Sequence, residues 1–518
     1  MNYRSDAAEQ RLTRFRGFVT GLWWAAAAVG LLASARADDS EWIKLTAPQF
    51  TVLSEVSESR TRAWAREFEL FHRGIASVLW VPPERLEPLR VVLFRSDRRF
   101  RPYKPLAGGK PAEVNGVFLH EPERNLAALA VDGLRDETRE HIFHEATHWH
   151  LAAYERDLPL WLNEGLAELF GNFEVRGDTF MLGKIRPSYL KYVHTFTPLS
   201  YRELASIDEG ALAYDWHHSA QTTKFYAESW AAAHLLALDT PSGMSILRRY
   251  LHAPAGAALA SDELLGYFGI TPAQFDQRLS VFLMRRRVNA LVVPLDRHGL
   301  GENYVVQPAT STEIDLALGE LLLGENRLAE AKPYIARVVA ARPDDPVGLA
   351  KLGEIAVGEK RNDEADCYLR RALAHGSTSF RVYFFVAMAT WAERRSDGKV
   401  SVESMSKAME YLTNALMLNP RLASGYEAAG AMMLDATTPA LCSRLEALVQ
   451  EGERRFPKSA GLLIGRGVAA LRLGDYAQAR ACAAKAGSAP STMPELTHLA
   501  QSRLLDEIAI AEARSQAK

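Results

Sequence analysis

The chain has 518 residues, of which 48% are hydrophobic and 24% are charged, and its formal net charge is −2. This composition excludes a disordered chain and a many-span membrane protein, and the near-neutral charge gives no sign of a nucleic-acid partner. Three cysteines in so long a chain are too few for a disulfide framework, so folding depends on buried apolar surface. The length suggests two to four domains.

The first 37 residues have the pattern of an export signal. Three arginines lie between residues 11 and 16, an apolar run extends from Phe18 to Ala33, and residues 35–37 (ARA) have the small-x-small pattern of a signal-peptidase site. The run is short for a membrane span, and an uncleaved N-terminal anchor is the alternative. We therefore expect a periplasmic or secreted protein with no integral membrane segment after cleavage.

Residues 38–290 are predicted to form one mixed α+β domain. Apolar residues spaced for one helix face, or alternating along a strand, define its elements. These are strands at 49–56 and 89–94, a hairpin of 116–120 and 126–131, and helices at 57–79, 137–155, 161–171, 224–238 and 271–287. The next interval, 291–311, contains two prolines and two glycines and is predicted to be a linker.

The remaining residues, 312–518, carry an internal repeat. Gly319 and Ala331 are followed, at an offset of 34 residues, by Gly353 and Ala365. This period is typical of tetratricopeptide repeats, in which small side chains let two helices pack closely. We expect an all-α solenoid of about five such helix pairs and a C-terminal capping helix. The resemblance to the tetratricopeptide family implies a surface that binds a protein partner.

The strongest chemical pattern is His144-Glu145-Ala146-Thr147-His148, inside the predicted 137–155 helix. Residues four apart lie on one face of a helix, so both imidazoles can bind one Zn²⁺. Glu145 lies about 100° around the helix from His144, where its carboxylate can reach a water beside the metal. On the motif alone, an exposed helix without a metal remains the alternative.

A second predicted helix supplies acidic side chains. A catalytic zinc site has three protein ligands and one open position. Glu164, in the segment PLWLNEGLAELFG, is the expected third ligand, with His141 as a substitute. Glu168, one turn further, can accept the outer N–H of a zinc-bound histidine. The plainer alternatives are a helix-dipole charge for Glu164 and a solvated acid for Glu168.

Together, these two motifs resemble the gluzincin zinc metallopeptidases, over residues 49–290. The resemblance implies a zincin-like fold, one Zn²⁺ per chain and Glu145 as general base. In that family the strand before the metal helix forms the edge of the cleft and binds the substrate backbone. In this chain the resemblance implies that Leu126, Ala128 and Ala130 bind the substrate.

The resemblance also implies a donor to the oxyanion. In several gluzincins a tyrosine on a helix after the glutamate helix has this role, and Tyr226 is similar in placement. A tyrosine that only packs in the core is the alternative. The pair His217-His218, in the preceding loop, contains rival donors.

The predicted function is therefore an exported zinc metallopeptidase that hydrolyses a protein or peptide substrate, with a repeat domain for substrate or partner binding. The alternative is a non-catalytic zincin-like scaffold in which the repeats do the binding. The intact motif favours the enzyme, because a scaffold without turnover would be free to lose Glu145.

Overall fold

The structure is a computed structural model. It describes residues 42–121, 123–133, 136–154, 156, 158–184, 189, 197–207, 220–253, 262–285, 288–393 and 399–516. Trp42 to Lys518 form one compact unit. The predicted export signal lies outside the described residues. Among the helices that are described, none is both long enough and apolar enough to span a bilayer.

All the described strands lie in the first 310 residues. In chain order they are β1 Ile43–Thr46, β2 Phe50–Ser54, β3 Leu89–Phe94, β4 Leu106–Ala107, β5 Lys110–Pro111, β6 Gly116–Glu121, β7 Arg124–Ala130, β8 Glu174–Arg176, β9 Thr179–Leu182, β10 Leu291–Pro294 and β11 Val305–Pro308. Six form a mixed sheet in the order β11-β1-β2-β3-β7-β6, in which β2, β3 and β7 are parallel.

Nine α-helices are described before residue 290, and all of them except the short second one contribute to the core on one face of this sheet. In chain order they are α1 Glu58–Leu79, α2 Asp97–Phe100, α3 Asp136–Leu151, α4 Leu160–Gly171, α5 Tyr201–Ser206, α6 Ala220–His234, α7 Gly243–Leu251, α8 Glu263–Tyr267 and α9 Pro272–Leu283. The largest core lies between the sheet and these helices, where Phe68 and Phe71 of α1 meet Phe143 and Trp149 of α3. The predicted α+β arrangement is present.

The rest of the chain is an array of paired helices. They are α10 Ser311–Gly324, α11 Leu328–Ala341, α12 Pro346–Gly358, α13 Asn362–Ala374, α14 Phe380–Ala392, α15 Val402–Leu418, α16 Ala423–Met432, α17 Pro439–Arg455, α18 Ala460–Arg472, α19 Tyr476–Ala486 and α20 Pro494–Gln516. The described residues thus contain five pairs and a terminal helix, which confirms the predicted helical repeat.

The glycine positions explain the period. A Cβ on Gly319 of α10 would lie 2.6 Å from Ile335 Cδ1 of α11, and a Cβ on Gly353 of α12 would lie 2.5 Å from Leu369 Cδ2 of α13. Both partners in the second contact lie 34 residues after those in the first. The first two pairs therefore pack through the same close contact, which leaves no room for a side chain larger than that of glycine.

The prediction of a linker at 291–311 is wrong, because this interval contains two strands. β10 pairs with β9, and β11 pairs with β1 as the outer strand of the main sheet. The short runs Val292-Val293 and Val305-Val306 supply these strands, and the prolines stand at their ends, where they cost no hydrogen bond within the sheet. The interval therefore joins the helical array to the sheet instead of separating them.

The prediction that β7 binds the substrate backbone must also be corrected. β7 pairs with β3 along one edge and with β6 along the other, so its backbone has no free edge. Leu126, Ala128 and Ala130 are fully buried in a second core, between the sheet and α10. The prediction that they contact substrate is wrong. Among the described strands of this sheet, β6 and β11 are the two at its edges.

Candidate metal centre

Two glycines of α4 set the positions of the helices around the metal motif. A Cβ on Gly171 would lie 2.9 Å from the backbone nitrogen of His144, so α4 packs directly on α3. A Cβ on Gly165 would lie 2.2 Å from the carbonyl oxygen of Ser229, so α4 also packs directly on α6. Gly171 therefore faces α3, whereas Gly165 faces α6. This close packing brings Glu164 to the histidines of α3.

The side chains of His144, His148 and Glu164 meet at one point. His144 Nε2 lies 3.2 Å from His148 Nε2 and 3.3 Å from Glu164 Oε2, and His148 Nε2 lies 3.6 Å from Glu164 Oε2. In a tetrahedral zinc site with bonds of about 2.0–2.1 Å, the ligand atoms lie about 3.3 Å apart. The three atoms therefore have the spacing that one zinc ion requires.

Other features also fit a metal. Glu164 Oε2 is buried and has no hydrogen-bond partner of acceptable geometry. Within the described part of the chain, His144, His148 and Glu164 are the only group of three possible ligands whose donor atoms converge. Two imidazoles and one carboxylate are a donor set that suits zinc. The His148 and Glu164 side chains are 15% and 14% solvent-exposed, so the cluster borders solvent.

The outer nitrogen of each histidine has an acceptor. His144 Nδ1 lies 3.2 Å from Glu168 Oε1, and His148 Nδ1 lies 3.2 Å from Asn163 Oδ1. Each acceptor holds the proton on Nδ1, which leaves the Nε2 lone pair for a metal. The sequence pointed to Glu168 but missed Asn163. Its position directly before Glu164 was the available signal.

The carboxylates create a negative potential at this cluster. Burial lowers the pKa of His144, but Glu168 and Glu164 outweigh burial and raise that pKa to about 10. Burial raises the pKa of Glu164, but the two nearby histidines hold that pKa at about 2. Without a metal, a proton on His144 therefore balances the carboxylates. A divalent cation would satisfy the same potential.

The remaining candidates lie around this cluster. Glu145 follows His144 on α3, is half-buried, and has its Oε1 3.9 Å from Nδ1 of the exposed His141. The Tyr226 ring centroid lies 6.4 Å from that of His144. Burial and the cluster's carboxylates raise the pKa of Tyr226, so its phenol remains a donor. His217-His218 lie outside the described residues.

Comparison with solved structures finds resemblance to tetratricopeptide-repeat proteins. No protein-family model matches the sequence, and no curated protein matches it. YrrB, described as a TPR protein with an unusual peptide-binding site, is 16% identical over 36% of this chain and 90% of its own, with a TM-score of 0.29. A thermophilic TPR protein of Thermus thermophilus is 21% identical over 38% and 99%, with a TM-score of 0.26.

Yeast Tom70 covers more of the chain. It is 12% identical over 88% of this chain and 72% of its own, with a TM-score of 0.30. TM-scores at this level are too low to assign a family or a function. The repeat architecture is therefore established by the helix pairs themselves.

The two outer acceptors give a prediction about metal affinity. We expect Glu168→Ala and Asn163→Ala each to weaken zinc binding by about 10–100-fold without abolishing it, because an unheld imidazole loses its orientation. Competition with a fluorescent zinc chelator measures the affinity. Glu174→Ala, an acid on β8 that pairs with Arg176, is the control. Unchanged affinity in the Asn163 variant would remove that residue from the site.

Proposed function

We propose that this chain is an exported zinc metallopeptidase with a zincin-like catalytic half of the gluzincin type. The observation that carries the proposal is the convergence of His144 Nε2, His148 Nε2 and Glu164 Oε2 within 3.2–3.6 Å of one another. The acceptors on both outer nitrogens support it, because an accidental histidine pair has no need of two such partners. The export pattern at residues 1–37 is the basis for the location.

The residues around the cluster have distinct roles in peptide hydrolysis. A zinc ion held here would supply a Lewis acid for the scissile carbonyl and would acidify water. The Glu145 carboxylate takes a proton from the attacking water and later passes it to the leaving amine nitrogen. The Tyr226 phenol donates a hydrogen bond to the carbonyl oxygen as charge develops, a contact typically worth about 3 kcal/mol.

The substrate would bind along β6. An extended peptide can add to a free strand edge through backbone hydrogen bonds. β6 lies at the edge of the sheet beside the metal helix, and a Cβ on Gly116 of β6 would lie 3.6 Å from Ile142 Cγ1 of α3. A peptide on this edge would therefore run along the helix that carries the motif. This replaces the role that the sequence suggested for β7.

The second candidate is a scaffold that keeps the zinc site but has no turnover. The size of the helical array favours it, since five helix pairs and a terminal helix present an extended surface of the kind that binds proteins. In this candidate zinc stabilises α3 against α4, and protein binding by the array is the function. Both candidates therefore predict bound zinc.

Metal content and cleavage together separate the two. We expect the purified full-length chain to hold one zinc by elemental analysis and to hydrolyse casein or a peptide pool. His148→Ala should lose both, because two ligands bind zinc too weakly. New protein termini across the proteome should also be compared between the wild type and Glu145→Gln. If the protein holds stoichiometric zinc and neither experiment shows cleavage, the scaffold is the correct function. A wild-type protein that binds no zinc would reject both.

A further inference from the structure

The helical array covers the sheet on the face opposite the metal helix. Alternate residues of the central strands point to α10, and they form a core with it: Leu53, Val92, Leu126, Ala128, Ala130, Ala317, Leu318 and Leu321. Ion pairs surround this core, including Lys44 Nζ to Glu313 Oε1 at 2.5 Å and Arg90 to the buried Glu320. The face of α10 that meets the sheet is therefore filled by the chain's own strands.

The array also binds the turn between β6 and β7. Glu123 in this turn has a left-handed backbone, with φ of +69°. Its carboxylate accepts hydrogen bonds from the Ser379 hydroxyl at 2.6 Å and from the Phe380 N–H at 2.5 Å. Arg124 donates to Glu354 Oε1 at 2.5 Å and is almost fully buried. We refer to these five residues as the hairpin latch. It joins the turn to α12 and to the start of α14.

The latch acts on an outer strand of the sheet, whose turn also donates to Glu87 through the Glu123 N–H and the Asn125 side chain. β7 supplies the single strand partner of β6 among the described strands, and the turn that holds Glu123 follows directly. The array touches β6 at a second point, because a Cβ on Gly324 of α10 would lie 2.2 Å from Leu119 Cδ1. The side of β6 that faces away from α3 therefore rests on the array.

We propose that the helical array positions β6 through the hairpin latch and thereby sets the affinity for a peptide substrate. This inference rests on the proposed function, because it concerns the edge that would bind the peptide. Glu123 and Glu354 are positioning residues, since Glu123 contacts the start of α14, Glu354 contacts Arg124, and these contacts do not include the metal-binding candidates. A protein that shifts α12 or α14 would change peptide affinity while zinc stays bound.

The test uses the full-length, zinc-loaded protein. For Glu123→Ala we expect KM for a short fluorogenic peptide to rise at least about tenfold, with kcat within about twofold of wild type, because binding is altered and the chemistry is not. Hydrogen exchange of the β6 amides, residues 116–121, should accelerate at least about tenfold. Zinc content should stay at one per chain.

Two matched variants control this result. Glu123→Gln keeps an oxygen that can accept the Phe380 N–H, and its KM should stay within about threefold of wild type. Glu427 is a buried carboxylate that accepts the N–H groups of Thr492 and Met493 near the C-terminal end of the array. Glu427→Ala removes the same kind of contact there, and KM and β6 exchange should not change.

The outcomes separate this inference from the proposed function. Unchanged KM and unchanged β6 exchange in a folded, zinc-loaded Glu123→Ala protein would overturn the inference. If the wild type cleaves no peptide, the proposed function fails, and β6 exchange alone decides whether the latch holds the strand. If Glu123→Ala does not fold, Glu354→Gln takes its place, since it removes the charge that pairs with Arg124 and keeps the side-chain shape.

Discussion

Glu145→Gln should retain one zinc per chain and lower peptide hydrolysis by about 10²–10⁴-fold. The amide has the shape of the carboxylate but cannot take a proton from water. The metal should remain because the three proposed ligands, His144, His148 and Glu164, are unchanged. The measurement is kcat/KM on a peptide that the wild type cleaves, together with elemental analysis of the same preparation.

A remote substitution of the same type controls for general effects of a lost charge. Glu58, at the exposed start of α1, pairs with Arg62 on the same helix and lies outside the metal cluster. Glu58→Gln should keep wild-type kcat/KM within about twofold, as expected for a surface change. Near wild-type turnover by Glu145→Gln would contradict the assigned base and leave the scaffold as the better description.

The cluster of His144, His148 and Glu164 was largely predictable because each of its two motifs is a short stretch of sequence within one helix. The i, i+4 spacing of His144 and His148 fixes their shared face, and Glu164 belongs to a second short motif. Asn163 was missed because its contact with His148 depends on how α4 is rotated against α3. That rotation is set by the close approach at Gly171, which no spacing along one helix reveals.

Strand order was less predictable because it is a property of distant pairs. The hairpin was found, but the resemblance placed its second strand at the edge of the cleft, whereas that strand, β7, joins β3. Residues 126–130 (LAALA) are apolar on both faces, the pattern of an internal strand, and this signal could have identified β7. The strand β11 was missed because its partner β1 lies more than 250 residues earlier.

A chain that ends at residue 290 should fail to fold stably, in contrast to what a linker at 291–311 would imply. Such a chain loses β11 from the edge of the sheet and β10 from β9. It also loses α10, so Val92 and Leu126 become exposed. Exposing two large aliphatic side chains costs about 3–6 kcal/mol. This is comparable to the total stability of a typical domain, about 5–15 kcal/mol.

A matched truncation isolates the contribution of these elements. Residues 42–341 keep β10, β11, α10 and α11, and therefore keep the cover over the second core. We expect this chain to melt cooperatively by circular dichroism and to bind zinc, and we expect residues 42–290 to aggregate or to melt without a transition. A 42–290 chain with a cooperative transition and wild-type zinc affinity would show that the sheet needs none of these contacts. The α+β half would then be an independent domain, and the latch between β6 and the array would be a contact between two separately folded parts.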